Sequence, residues 1–267
     1  MNHRYGSALL AAVAIVTTTL VAAEIKVSLD KETVGKPPQI FEPIVGTWVV
    51  AKDGNDKVIM VDGRPWVASK DNPTKLLVES ARKLYGTSNE ELMDNAKQFA
   101  YYPVAVLKTV PSFSNGSITL KFKTVGGDAD RCSGILFNVK ENGDWLALRY
   151  NDTEHNVILW EFHNGIRRPL IRPRDGDLLK AEGDREKWHE LRLDVDGANI
   201  AGTLDGTKVL SYVLGSAPQP GRNGAAPNDD LFPEKNPVIR PPVNGKVGLW
   251  SKTDSTSYFK DYIVAAK

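Results

Sequence analysis

Cysteine is nearly missing from this chain: of 267 residues, Cys132 is the only one. That excludes an internal disulfide and any cysteine-rich zinc site. A net charge is missing too. Lysine and arginine total 34 against 33 aspartates and glutamates, a formal charge of +1. A nucleic-acid binder that works by bulk charge needs a basic excess to displace counterions, and none exists here. Histidine is scarce, and the spacing of His155, His163 and His189 suits no zinc site. G-x-S-x-G, Walker, Rossmann and H-E-x-x-H patterns are absent, as is an internal repeat. What remains is ordinary globular material, 41% hydrophobic and 25% charged, which excludes wholesale disorder.

The N-terminus carries an address. Arg4 sits in a short polar start, and Ala8 to Val21 is apolar except for Thr17, Thr18 and Thr19. Val21-Ala22-Ala23 then offers small residues to a signal peptidase. The apolar run is short for a membrane span, and no cysteine follows it to take a lipid. Residues 1–23 therefore read as a secretory signal peptide, with a periplasmic or secreted destination and no membrane span after cleavage. Losing Arg4 leaves the mature chain neutral. Residues 24–267 read as one domain.

Residues 24–44 carry few signals beyond Pro37, Pro38 and Pro43 and read as a lead-in. Strand-like material follows at 46–50 and 57–61. Residues 73–99 change period: Leu76, Leu77, Ala81, Leu84 and Tyr85 recur at helical spacing, Gly86 stops them, and Ser88-Asn89-Glu90-Glu91 forms a capping box. A small two-helix insertion is expected there. From Gly116 onward the period becomes two, with Ile118, Leu120 and Phe122 alternating with Thr119, Lys121 and Lys123. Further short strands are expected at 134–139, 144–151, 156–163, 188–195, 199–204, 209–213, 246–251 and 257–264. Asn-Gly and Asp-Gly turns punctuate them. Such spacing predicts an all-β antiparallel sandwich. Residues 215–244 hold seven of the 16 prolines and no alternation. They read as a long surface loop, or as a lid or partner-docking segment.

The runs GSITLKFKT, SGILFNVKENGDWLALRYN, NVILWEFHNG, KWHELRLDVDGANIAGTLDGTKVL and NGKVGLWSKTDSTSYFKDYIV together carry a resemblance. Over about 150 residues the chain resembles the concanavalin A-like (LamG-type) lectin and glucanase sandwich of bacterial secreted proteins. The resemblance implies a jelly roll of two stacked sheets, in a superfamily rich in sugar binders and sugar-cleaving enzymes. It implies no particular reaction.

Alternation sorts the strand residues by face. One face collects Ile135, Phe137, Val139, Leu146, Leu148, Tyr150, Ile158, Trp160 and Phe162, the expected inter-sheet core. The opposite face collects Asn138, Trp145, Ala147, Arg149, Asn151, Leu159, Glu161 and His163, joined by Trp250 and Lys252. Aromatic rings for sugar C–H faces and polar groups for hydroxyls make Asn138, Trp145, Arg149, Asn151, Glu161, Trp250 and Lys252 the candidate ligand-binding set. The alternative is an outer face covered by the helical insertion or the long loop. Trp160 and Trp188 are expected in the core.

Glycoside cleavage needs paired carboxylates. Laminarinase-type enzymes of the resembled fold hold them in a Glu-x-Asp-x-Glu-like run. The nearest approach here, Glu190 to Asp196, ends in an Asp-Gly turn and reads as a solvated strand. No catalytic residue and no bound cofactor are therefore assigned. The resemblance implies a class of sandwich that can hold calcium with loop carboxylates; Asp128 and Asp130 beside Gly126 and Gly127 are the candidates, in a stretch that reads equally as a polar turn. Three readings stay open: a carbohydrate binder, a glycoside-cleaving enzyme of laminarinase-like or 3-keto-disaccharide hydrolase-like kind, and an envelope protein-interaction module. The address has a direct check. Intact-mass analysis of exported protein should give a mature N-terminus at Glu24, and a mass that retains Met1 or Asn2 would contradict it.

Overall fold

Strict alternation over short segments forces each strand to bury one face, and two sheets stacked face to face achieve this. The computed structural model describes residues 23–65, 102–163, 166–171, 186–216 and 238–267. Among them, sheet I contains β1 (Ala23–Lys26), β3 (Thr47–Asp53), β4 (Asp56–Asp62), β6 (Gly116–Gly126), β11 (His189–Asp196), β12 (Asn199–Leu204), β13 (Thr207–Val213) and β15 (Thr256–Ala266). Sheet II contains β2 (Phe41–Val45), β5 (Val104–Leu107), β7 (Cys132–Val139), β8 (Trp145–Asn151), β9 (Asn156–His163), β10 (Ile166–Ile171) and β14 (Lys246–Trp250). Sheet I runs β13-β12-β11-β6-β15-β4-β3, with β1 beside β15; sheet II runs β10-β9-β8-β7-β14-β5-β2. Every pairing is antiparallel. This is the β-sandwich of a jelly roll. Among the described residues, no helix is long and apolar enough to cross a membrane.

The core lies between the sheets. Leu120 pairs across strands with Leu191, and Ile118 with Leu193, on the inner face of sheet I. Ile135, Phe137, Leu146, Leu148 and Tyr150 meet them from sheet II. The Phe122 and Tyr150 rings lie 5.0 Å apart across the gap.

Several expectations need correction. Residues 24–44 are not a plain lead-in, because they contribute β1 and β2. The helices expected over 73–99 lie outside the described residues, as does 217–237 of the expected loop. The rest of that loop is docked: Ile239 and Val243 belong to the inter-sheet core. Val139 leaves the core face because Asn138 takes φ 53° and displaces the alternation by one residue.

The largest correction concerns β9. Leu159 pairs with Leu148 and Val157 with Tyr150, so those two residues face the core, while Ile158, Trp160 and Phe162 face outward. The expected parity of β9 was therefore reversed, and Glu161 points inward rather than toward the candidate face. The cause is that β7, β8 and β9 are buried along almost their whole length on both faces. Apolar residues then occupy both parities, and the β8–β9 turn fixes the register instead. Glu161 is 0% exposed. It is held by Arg168, its cross-strand partner on β10, and its Oε2 accepts the Ile239 N–H at 2.7 Å. Burial raises its carboxyl above the ordinary range, against the Ile239 N–H and the Arg168 charge, which pull it down.

Removing one member of such a pair leaves a buried, unpaired charge. Glu161→Gln should cost about 3–5 kcal/mol in urea unfolding, and a Glu161→Met/Arg168→Met double variant should recover most of the loss. A loss below about 0.5 kcal/mol would return Glu161 to an open surface.

Candidate functional site

The outer face of sheet II is built by cross-strand rows. Trp250 lies opposite Gly134, which lies opposite Arg149. Ala147 lies opposite Trp160, and Trp145 opposite Phe162, which lies opposite Arg167. Gly134 has to be small. A Cβ there would sit 2.8 Å from the Leu148 carbonyl oxygen and 3.3 Å from the Trp250 ring. Tyr102, which precedes β5, stacks on Trp250 at 6.0 Å, and Trp145 stacks on Phe162 at 5.4 Å. These rings and their aliphatic neighbours form a second apolar cluster, separate from the inter-sheet core. Trp145 and Trp250 are 1% and 0% exposed. They make an interior wall, not an open stacking platform.

Toward one end the same face turns polar. The Arg149 guanidinium is 1% exposed and donates from Nη2 to Glu154 Oε2 at 2.8 Å and to Asn156 Oδ1 at 2.6 Å. Burial would raise the Glu154 carboxyl, but the Arg149 charge and hydrogen bond outweigh it and hold the group below its usual value. The Asn151 side-chain amide donates to Asp130 Oδ1 at 3.1 Å. Lys252 pairs with Asp130 at 2.8 Å, and the Thr253 hydroxyl donates to Asp130 Oδ2 at 2.9 Å. The loop before β7 is shaped by Asp254, whose carboxylate accepts the N–H groups of Asp128, Ala129 and Asp130 at 2.6–3.1 Å. Burial would raise Asp254 as well, yet those three donors hold it low. Cys132 is fully buried here, and desolvation pushes its thiol up to about 12, so it stays protonated and inert.

Among the described residues, Arg149 Nε and Trp250 Nε1 are buried donors without a hydrogen-bond partner. Arg167 is held by rings alone among the described residues. Its guanidinium lies 4.1 Å from the Trp160 ring centroid and 4.9 Å from that of Tyr102. The way in from solvent is through the partly exposed side chains of Glu154, Lys252 and Arg167.

Of the seven candidate residues, Trp145, Arg149, Asn151, Trp250 and Lys252 come together on this face. Glu161 does not, because it faces the core. Asn138 does not either. It sits at the opposite end of β7, buried, with its side-chain oxygen accepting the Asn244 N–H at 3.0 Å. There it borders a groove of about 500 Å³ that also includes His163, whose Nδ1 lies 2.7 Å from Asp144. The calcium expectation meets an occupied carboxylate, since Asp130 already takes donors from Asn151, Lys252 and Thr253. No cluster of three metal-ligating side chains occurs among the described residues. The Glu190–Asp196 run is a solvated strand face, with Arg192 and Asp194 paired and exposed.

Sequence reasoning missed Tyr102, Trp160, Arg167 and Glu154 as members of the face. The expected β9 parity places Trp160 in the core, and β10 is not among the strands expected from the sequence. Trp188 also differs from expectation. It lies half-buried on the outer face of sheet I, its Nε1 donating to Asp53 at 2.9 Å, with Lys260 4.3 Å from its ring. Its parity with exposed Glu190 and Arg192 was the available signal.

No protein-family model matches the sequence, and no curated protein does. Among solved structures the chain is similar to a carbohydrate-binding module, CBM66, from Bacillus subtilis. That match has a TM-score of 0.51 and 12% identity, and covers 88% of this chain and 99% of the module. A putative glycosyl hydrolase from Parabacteroides distasonis ATCC 8503 aligns with TM-score 0.46 and 14% identity over 87% of this chain and 91% of its own. A protein of unknown function with a galectin-like fold, from Bacillus subtilis, aligns with TM-score 0.43 and 12% identity over 85% and 90%. Of these three, the first passes a TM-score of one-half, and at its identity the likeness is one of fold.

Proposed function

We propose that this chain is an exported carbohydrate-binding sandwich of LamG-like kind that takes a sugar at the polar end of the outer face of sheet II. One observation carries the reading. Arg149 Nε and Trp250 Nε1 are buried donors without acceptors, set beside aromatic walls. A buried donor left unmade costs about 1–3 kcal/mol. Sugar hydroxyls supply acceptors at the edge of the face where Glu154, Lys252 and Arg167 are partly exposed. The fold of a carbohydrate-binding module supports the same reading. The N-terminal apolar run supports export.

Binding is favoured over cleavage by the state of the carboxyl groups. Hydrolysis of a glycosidic bond needs a carboxyl kept protonated as the acid. On this face Glu154 is held low by Arg149. Among the described residues the carboxyl that is raised is Glu161, on the other side of the sheet and locked to Arg168.

The test is a glycan array with the mature protein, with and without calcium, followed by titration calorimetry on the best ligand. Glu154→Ala and Lys252→Ala, both at the solvent edge, should each weaken binding about tenfold or more if they hold hydroxyls. Glu154→Ala strips the ion-pair partner from buried Arg149 and should lower the melting temperature, so Lys252→Ala, in which Asp130 keeps Asn151 and Thr253, carries the comparison. No glycan bound under either condition, or affinity unchanged in both variants, would defeat the reading. Reducing ends released from the bound glycan would favour the cleaving enzyme.

A further inference from the structure

Two arginines converge on one indole. Arg149 lies 5.7 Å and Arg167 4.1 Å from the Trp160 ring centroid, measured to the guanidinium carbon. They reach it diagonally, since Arg149 lies opposite Ile158 and Arg167 opposite Phe162, on either side of Trp160 along β9. The cations in this region are not matched alike. Arg149 has Glu154 and Lys252 has Asp130. Arg167 has two rings and no carboxylate among the described residues.

That arrangement is costly without a further partner. Desolvation weakens the charged form of Arg167, and the nearby Arg149 charge adds to it. Cation–π contact with Trp160 and Tyr102 returns only part of the lost hydration. A guanidinium stacked flat on a ring keeps its in-plane N–H groups free at the edge, and that edge matches a planar carboxylate bidentately. The neighbouring Arg149 is 1% exposed, and its Nε has no acceptor. The buried, unpartnered Arg149 Nε and the partly exposed Arg167 guanidinium therefore border the same ring.

We infer that Arg167, Trp160 and Arg149 form a subsite for the carboxylate of an acidic sugar residue, so that the preferred glycan is a uronate-containing one. The inference rests on the carbohydrate-binding reading and adds the class of sugar to it. Trp160 holds the Arg167 guanidinium in place, and Arg167 fixes the sugar's carboxylate. Glu154 stays on Arg149 and repels a carboxylate placed at that end, which orients the acidic group toward Arg167.

The probes are oligogalacturonate and the same oligosaccharide methyl-esterified, titrated into the mature protein at fixed ionic strength. Wild type should bind the free acid at least tenfold more tightly than the ester. Arg167→Gln should bring the two affinities to within about a factor of two of each other. Arg167→Lys keeps the charge but loses the fork, and should retain only part of the preference. Melting curves identify a variant that has failed to fold, and Arg167→Lys then carries the comparison. A neutral glycan bound while the acid is not, or an acid preference that survives Arg167→Gln, would overturn the inference and leave the binding reading intact. A preference for a sulfated oligosaccharide over the carboxylated one would also overturn it. Binding of no glycan of any kind would remove the reading and the inference together.

Discussion

Burial of β7, β8 and β9 on both faces is the constraint on which the rest of the structure depends. A sheet in a simple sandwich packs one face and wets the other. Here the inner face of sheet II meets sheet I through Leu146, Leu148 and Tyr150, while the outer face carries Trp145, Phe162 and Trp250 at almost no exposure. Every polar group placed on that outer face must therefore find a partner in the protein or cost free energy. Most do. Arg149, Asn151, Asp130, Lys252 and Thr253 are joined by hydrogen bonds or ion pairs at one end. Among the described residues, the exceptions at this end include the donors Arg149 Nε and Trp250 Nε1, while Asn138 Nδ2 is unpartnered at the opposite end of β7.

The same constraint separates structural from functional charge. Glu161 and Arg168 satisfy each other between the sheets, and the Ile239 N–H completes the set. Nothing there is left to offer a ligand. On the outer face the arrangement is different, because among the described residues Arg167 has aromatic neighbours in place of a counter-ion and Arg149 Nε has no acceptor. Sheet I shows the contrast. Its outer charges, such as Arg192 with Asp194 and Lys121 with Asp261, are paired at the surface, where such pairs contribute little.

The sandwich was legible in the sequence because most strands from Gly116 onward alternate strongly and end in Gly-containing turns. Strands of β6 and β11 type, polar on one side, revealed their faces directly. Strand β9 did not. In Asn156–His163 both parities are apolar, and one contains Glu161, which polarity rules send outward. Its inward position depends on Arg168, in a strand that the sequence did not announce, and on a register set by the β8–β9 turn. The candidate site was therefore legible where β8 and β14 supplied it, at Trp145, Arg149, Asn151, Trp250 and Lys252. It was illegible where β9, β10 and the residue before β5 supplied it, at Trp160, Arg167 and Tyr102. Asn138 misled for a local reason, since its positive φ breaks the alternation that had placed it.

The central claim is that a sugar meets the unpartnered donors of sheet II rather than the half-buried indole of sheet I. The most direct measurement is the set of tryptophan indole N–H resonances during titration with a bound glycan. The account predicts that the Trp250 Nε1 signal moves saturably, as its proton acquires an acceptor, while the Trp188 signal, already bonded to Asp53, stays in place. A titration that moves Trp188 and leaves Trp250 unchanged would put the ligand on the other sheet and contradict the account.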